Sequence, residues 1–209
     1  MPTNRRQALA AIAAAPFFVG FANADQAQDL GAQLLANVSP LGERSTGNAD
    51  APNVLIEYAS ATCDHCAAFH LEVLPALKAE YIDTGRLRYI FREFPLDQLA
   101  LAAFMLARCV PEDRYFATID LMFRRQVRWM KGNKKLELQR ITQMTGLDKA
   151  GFDACLKRQD YATIISQYGK VSAQQFKIKG TPAIFVNGQR IEGFKKIAEL
   201  KNMIGKVLK

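Results

Sequence analysis

Two cysteines separated by two residues, in Cys63-Asp64-His65-Cys66, are the part of this 209-residue chain best suited to chemistry. On a helix that spacing sets the thiols one turn apart, close enough to close a small disulfide and to exchange it with another thiol. A cysteine at a helix N-terminus faces unpaired N–H groups and the positive end of the macrodipole, which stabilise a thiolate. Cys63 is therefore the nucleophile and Cys66 the more buried resolving partner, and a protonated His65 adds positive charge beside the same sulfur. The spacing has other uses. It supplies half of many zinc sites, here with His70 as a third ligand, and it can close a purely structural disulfide. Against zinc, the chain has no second Cys-x-x-Cys, only two histidines, and Cys109 and Cys155 lie far along the sequence. His70 reads as a surface or half-buried helix residue.

The elements that must hold this motif are legible on either side of it. Residues 54–58, Val-Leu-Ile-Glu-Tyr, form a short apolar strand with one acid in it. From Cys63 a helical periodicity brings Phe69, Val73, Leu74, Leu77 and Tyr81 onto one face, with Pro75 as a kink and Thr84-Gly85 as the stop. Residues 87–94 are the next strand. A strand, a helix and a strand in that order imply a right-handed crossover and parallel neighbours. Only helices follow, at 99–109, at 111–130 with Phe116, Ile119, Phe123, Val127 and Met130 on one stripe, at 136–145, at 148–156 and at 160–176. Ala183 to Val186, an Asn187-Gly188 turn and Gln189 to Ile191 then read as a hairpin. Ile197, Leu200, Ile204 and Val207 stripe a closing helix. Trp129 and the Phe and Met stripes read as core, and Arg124-Arg125, the lysines between 131 and 135 and Lys195-Lys196 as solvated surface.

Composition agrees with a folded chain: 49% of residues are hydrophobic and 23% charged, which excludes a mostly disordered protein. The net charge of +8 is too moderate for a nucleic-acid-binding signature. Residues 1–24 read as an export signal, with Arg5-Arg6, an apolar stretch from Ala8 to Ala22 interrupted by Pro16 and Gly20, and Ala22-Asn23-Ala24 as the cleavage site. Arg5-Arg6 leaves the twin-arginine route open beside the general one. Residues 25–52, rich in Gly, Ser, Pro, Asn and Asp, read as an arm with a turn or two of helix between 30 and 38.

The run Glu57-Tyr58-Ala59-Ser60-Ala61-Thr62-Cys63-Asp64-His65-Cys66, with Gly180-Thr181-Pro182 ahead of the hairpin, resembles the DsbA family of exported thiol-disulfide oxidoreductases. The resemblance continues through Arg92-Glu93-Phe94-Pro95-Leu96 and the helical insert. It implies an α/β thioredoxin-like fold, β-α-β followed by β-β-α, with an inserted all-helical domain. The division expected is a signal peptide at 1–24, an arm at 25–52, a thioredoxin-like domain at 53–95 plus 177–209, and the insertion at 96–176.

In function, the resemblance implies an enzyme that donates a Cys63–Cys66 disulfide to folding exported proteins in the periplasm, with no cofactor. It further implies a membrane quinone-linked thiol oxidase as the reoxidising partner. Pro182 is expected in cis, presenting the Thr181 backbone to an extended client segment. Glu57 becomes a buried acid beneath the active site that exchanges a proton with Cys66, the alternative being a strand-edge glutamate that faces solvent. A second disulfide, Cys109–Cys155, is expected in an oxidising compartment and has a counterpart in one branch of the family; two independent buried thiols are the alternative. Asp64 departs from the proline common at its position, and a carboxylate there opposes the Cys63 thiolate. Isomerases of the family are oligomers with an N-terminal assembly domain; only 25–53 precedes the first strand here, which favours a monomeric oxidase. An isomerase or reductase of the same fold, a redox-inert binding module, and an exported metal protein using Cys63, Cys66 and His70 are the alternatives.

Overall fold

The computed structural model describes residues 22–192 and 197–208. The export-signal reading therefore lies outside the described residues up to position 21, as does the Lys195-Lys196 pair. Five strands form one sheet: β1 (Arg44–Thr46), β2 (Asn53–Ala59), β3 (Leu87–Glu93), β4 (Ala183–Val186) and β5 (Gln189–Ile191), in the spatial order β1-β3-β2-β4-β5. β2 and β3 are parallel, registered from Asn53 opposite Leu87 to Ala59 opposite Glu93. β4 runs antiparallel to β2, with Leu55 opposite Val186 and Tyr58 opposite Ala183. This is the thioredoxin-like arrangement with a helical insert expected from the sequence.

β2 is buried along nearly its whole length, because layers cover both faces of the sheet. Strand alternation sends Ile56 and Tyr58 to one side, where they meet Leu34, Ile90, Phe176 and Phe185. Leu55 and Ala59 go to the other side, into the larger core shared with Phe69, Leu77 and the insert helices. Glu57, between them in the alternation, is thereby delivered to the face on which the active-site helix packs.

The stretch 25–52 holds more structure than an arm with a turn or two of helix. Helix α1 spans Ala22–Ala36, and β1 adds an antiparallel edge to β3. Both are weak in sequence: among the described side chains of α1 Leu34 is the one that is apolar and fully buried, and β1 has three residues, too few to show alternation. The β4–β5 turn fixes where α1 lies. Asn187 and Gly188 both take positive φ, 49° and 78°, as a two-residue hairpin requires, and a Cβ on Gly188 would stand 1.9 Å from the Ala27 carbonyl oxygen.

The crossover between β2 and β3 is an interrupted helix. α2 (Asp64–Ala68) passes into a π turn at Phe69–Val73, α3 (Leu74–Leu77) follows, and a second π turn closes at Lys78–Ile82. Pro75 sits in the first turn of α3, where its missing N–H is tolerated, and the irregularity already begins six residues before it.

The insert comprises α4 (Gln98–Cys109), α5 (Tyr115–Arg124), α6 (Gln126–Lys131), α7 (Lys134–Met144), α8 (Lys149–Cys155) and α9 (Gln159–Gln175). The single stripe expected across 111–130 is split, because Arg125 leaves helical geometry (φ −106°, ψ 14°). The break turns Val127 outward, 66% exposed, and Trp129 inward, fully buried with its indole N–H on the Met122 carbonyl. Asp97, Asn133 and Asp148 cap α4, α7 and α8. Arg108 of α4 pairs with Glu93 at the end of β3, and the Tyr115 hydroxyl donates to the same carboxylate, which locks insert to sheet. α10 (Ile197–Gly205) closes the larger core with Leu200 and Ile204.

Candidate active site

β2 ends at Ala59, and a short turn carries the chain into α2, with the Cys63 amide donating to the Ser60 carbonyl at 3.1 Å. Cys63 is the N-cap of α2. Its backbone is extended (φ −83°, ψ 120°), and its sulfur takes the place that a serine or aspartate oxygen usually fills, accepting the Cys66 N–H at 3.3 Å. Across the sulfur lies the loop before β4. There the Thr181–Pro182 peptide bond is cis, and the Cys63 thiol donates to the Thr181 carbonyl at 3.3 Å. The two motifs quoted from the sequence, about 120 residues apart, meet at one sulfur atom.

The motif is in the dithiol form, and its two thiols are unlike. Cys63 is 8% exposed and Cys66 not at all. The hydrogen bond from Cys66 lowers the Cys63 thiol from 9.0 to about 6, aided by the Thr181 side chain and by the amides of Cys66 and His65 and opposed by burial. Cys66 moves the other way. Burial pushes it well above the ordinary thiol range, and its bond to Cys63 and the charge of Glu57 add to that. Cys63 is thus mostly thiolate at neutral pH while Cys66 keeps its proton.

His65 reaches Cys63 through its backbone amide. Its ring is 70% exposed and turned to Asp64, Nδ1 to Oδ1 3.1 Å, while Asp64 itself is exposed and also accepts the His65 N–H. Two groups from outside the motif hold the turn. Asp97 accepts the Thr62 hydroxyl at 2.7 Å, and the buried carboxamide of Gln126 donates to both the Ala61 and the Cys63 carbonyls at 2.9 Å. Sequence reasoning missed Gln126. A glutamine after two arginines carries no signal, and only the break at Arg125 aims it inward.

Glu57 is fully buried. Its Oε2 accepts the Tyr89 hydroxyl and lies 3.0 Å from His70 Nε2, while Oε1 has no partner. His70 corrects the expectation of a surface or half-buried residue: it is 6% exposed, stacked on Phe123 with ring centroids 4.3 Å apart. The π turn explains this. The Leu74 amide reaches back five residues to Phe69, so the added residue rolls Phe69, His70 and Val73 inward together. His70 is therefore engaged by Glu57 and Tyr89 and does not join Cys63 and Cys66 as a ligand set. Among the described residues the group able to hold a metal ion is Cys63, Asp64 and His65, with their ligand atoms within 4.8 Å. Cys109 and Cys155 are joined by a disulfide between the ends of α4 and α8, Cα–Cα 6.1 Å.

Residues 40–206 match the family model described as thioredoxin. A relative from Rickettsia bellii, named as a protein-disulfide oxidoreductase, is 34% identical over 170 residues, 76% of this chain and 66% of its own. Across the Rickettsia relatives the match spans 52% to 66% of their length. Disulfide bond formation protein D of Bacillus subtilis is 24% identical, over 80% of this chain and 78% of that one. The crystal structure of Wolbachia pipientis alpha-DsbA1 superposes with a TM-score of 0.71 at 32% identity, covering 84% of this chain and 94% of that one. Sequence and backbone agree over the same span, so the chain belongs to the thioredoxin family, among its DsbA-like members.

Proposed function

We propose that the protein is an exported thiol-disulfide oxidoreductase that donates its Cys63–Cys66 disulfide to folding client proteins. The observation that carries this reading is the opposite treatment of the two thiols: a thiolate favoured at Cys63 and a proton held at Cys66. A client thiolate attacks Cys63, because that sulfur is the accessible one and the leaving position is Cys66. The client's second thiol then attacks its own sulfur of the mixed disulfide. Cys63 leaves as a thiolate, which its hydrogen bonds stabilise, and the client departs oxidised. Stabilising the reduced form makes the disulfide oxidising, which favours an oxidase over a reductase. Asp64 opposes this only in part, since its charge is exposed, screened and turned to His65.

Pro182 and the Thr181 backbone form the wall against which an extended client segment lies beside Cys63. Glu57 exchanges the proton of Cys66. Cys109–Cys155 braces the insert and takes no part in turnover. The periplasm is the compartment, residues 1–24 the cleaved signal and a membrane quinone-linked thiol oxidase the reoxidising partner; the protein works as a monomer without a cofactor. No described helix is long and apolar enough to cross a membrane. The test is incubation of the oxidised protein with a reduced two-cysteine peptide, together with equilibration against a glutathione buffer. Stoichiometric transfer and an oxidising potential are expected. No transfer, or a strongly reducing potential, would overturn the reading.

A further inference from the structure

We infer that His70 is a proton-transfer residue that connects Glu57 to a water-accessible cavity behind the active-site helix, giving Cys66 a route for its proton that avoids Cys63. The inference rests on the oxidoreductase reading above and assigns a role to a buried group that reading does not use.

Each half-cycle moves one proton to or from Cys66, yet Cys66 and Glu57 are both fully buried. Glu57 Oε1 is buried without a hydrogen bond, and Glu57 lies close enough to Cys66 to push its thiol upward. Its other oxygen, Oε2, is held by Tyr89 and His70, and the Tyr89 hydroxyl is also 3.2 Å from His70 Nε2. His70 and Tyr89 line a cavity of about 380 Å³ closed by Leu74, Pro75, Phe116 and Ile119. None of the residues around Cys63 lines it. Lys78, Asp120 and Arg124, all about half exposed, stand at its rim and bring it to solvent. Among the described residues, the charged and titratable groups that contact His70 or line the cavity with it are Glu57 from β2, Tyr89 from β3, Lys78 from its own crossover, and Asp120 and Arg124 from α5.

The proton balance closes. When a client thiolate attacks Cys63, the S–S bond breaks with its electron pair on Cys66. Cys66 takes a proton through Glu57, which gains it at Oε2 from His70 Nε2 and ends in the state in which it began, and His70 takes one at Nδ1 from water in the cavity. Reoxidation runs the same protons outward and restores the first tautomer, while the electrons leave through Cys63 to the thiol oxidant.

The test is single-turnover reduction of the protein's disulfide by a dithiol peptide, in light and heavy water, with and without added imidazole. His70→Ala is expected to slow the step at least about 10-fold, and imidazole, which fits the vacated cavity, to restore the rate in proportion to its concentration. Glu57→Gln is expected to be slow and not rescued. A His70→Ala protein that reacts at the wild-type rate, or one that is slow with no response to imidazole, would overturn the role. If His70→Ala does not fold, His70→Gln carries the test: a slow step with a reduced solvent isotope effect supports the route, and a wild-type rate overturns it. A wild-type protein that transfers no disulfide would overturn the oxidoreductase reading itself, an outcome distinct from any of these.

Discussion

Lowering the pH from 7 to 5 is expected to destabilise the reduced protein and leave the oxidised one unaffected by the same cause. In the reduced fold the Cys63 thiol lies at about 6 against 9.0 for an unperturbed one. An acid whose folded pKa is depressed stabilises the fold fully above the unfolded value and loses that stability as pH falls through the folded value. The window for Cys63 is therefore pH 9 down to pH 6. Three units correspond to about 4 kcal/mol at the top of that window, and the fraction present at pH 7 to about 1.4 kcal/mol. One side of the sulfur must stay open to clients, so solvent screening trims the pH 7 figure to about 1 kcal/mol. Cys66 acts in the opposite sense. Its folded pKa is raised, so its contribution is complete below the unfolded value and is lost above it, which flattens the gain at alkaline pH. Urea unfolding of the reduced protein at pH 7 and pH 5, compared with Cys63→Ser, isolates the Cys63 contribution, and thiolate absorbance gives the pKa directly. Since about 1.4 kcal/mol equals 30 mV for a two-electron couple, the glutathione equilibrium is expected to move in parallel. A wild-type profile that matches Cys63→Ser between pH 5 and 7, or a thiolate that appears only near pH 9, would refute the argument.

Trapping experiments follow from the same asymmetry: Cys66→Ala is expected to accumulate mixed disulfides with clients on non-reducing gels, and Cys63→Ala few or none. Gln126→Leu removes the donor shared by the Ala61 and Cys63 carbonyls, a loss of about 1–3 kcal/mol, and is expected to raise the Cys63 thiolate pKa as the turn relaxes. An unchanged pKa in a destabilised protein would reduce Gln126 to packing. Replacing both Cys109 and Cys155 with Ala opens a loop with a sequence separation of 46, worth about 4 kcal/mol in the chain-entropy model, and is expected to lower Tm by about 10 °C while peptide oxidation persists. Arg108→Met strands the Glu93 carboxylate in the core with only the Tyr115 hydroxyl, at a cost of about 3–5 kcal/mol measurable by urea unfolding.

What the sequence made legible is what short-range rules can carry. A helix N-terminus at Cys63 follows from a strand, a turn and a periodic run, and the Asn187-Gly188 hairpin from two residues that accept positive φ. The meeting of Pro182 with Cys63 came from family resemblance, since no local pattern links residues so far apart. The misses share a physical origin. Helical periodicity assumes 3.6 residues per turn, and the π turn at Phe69–Val73 violates it, which hid the burial of His70. The break at Arg125 shifts phase in the same way, hiding both the exposure of Val127 and the inward turn of Gln126. Both irregularities adjoin the motif, and each delivers a polar side chain that a regular helix would have placed elsewhere: Gln126 onto the carbonyls of the Cys63 turn, and His70 onto Glu57. A buried carboxamide and a buried imidazole are costly unless each is hydrogen-bonded, and each is. The positions where periodic reading fails are thus those where the backbone gives up regular geometry to set the surroundings of the two thiols, one side for Cys63 and the other for Cys66.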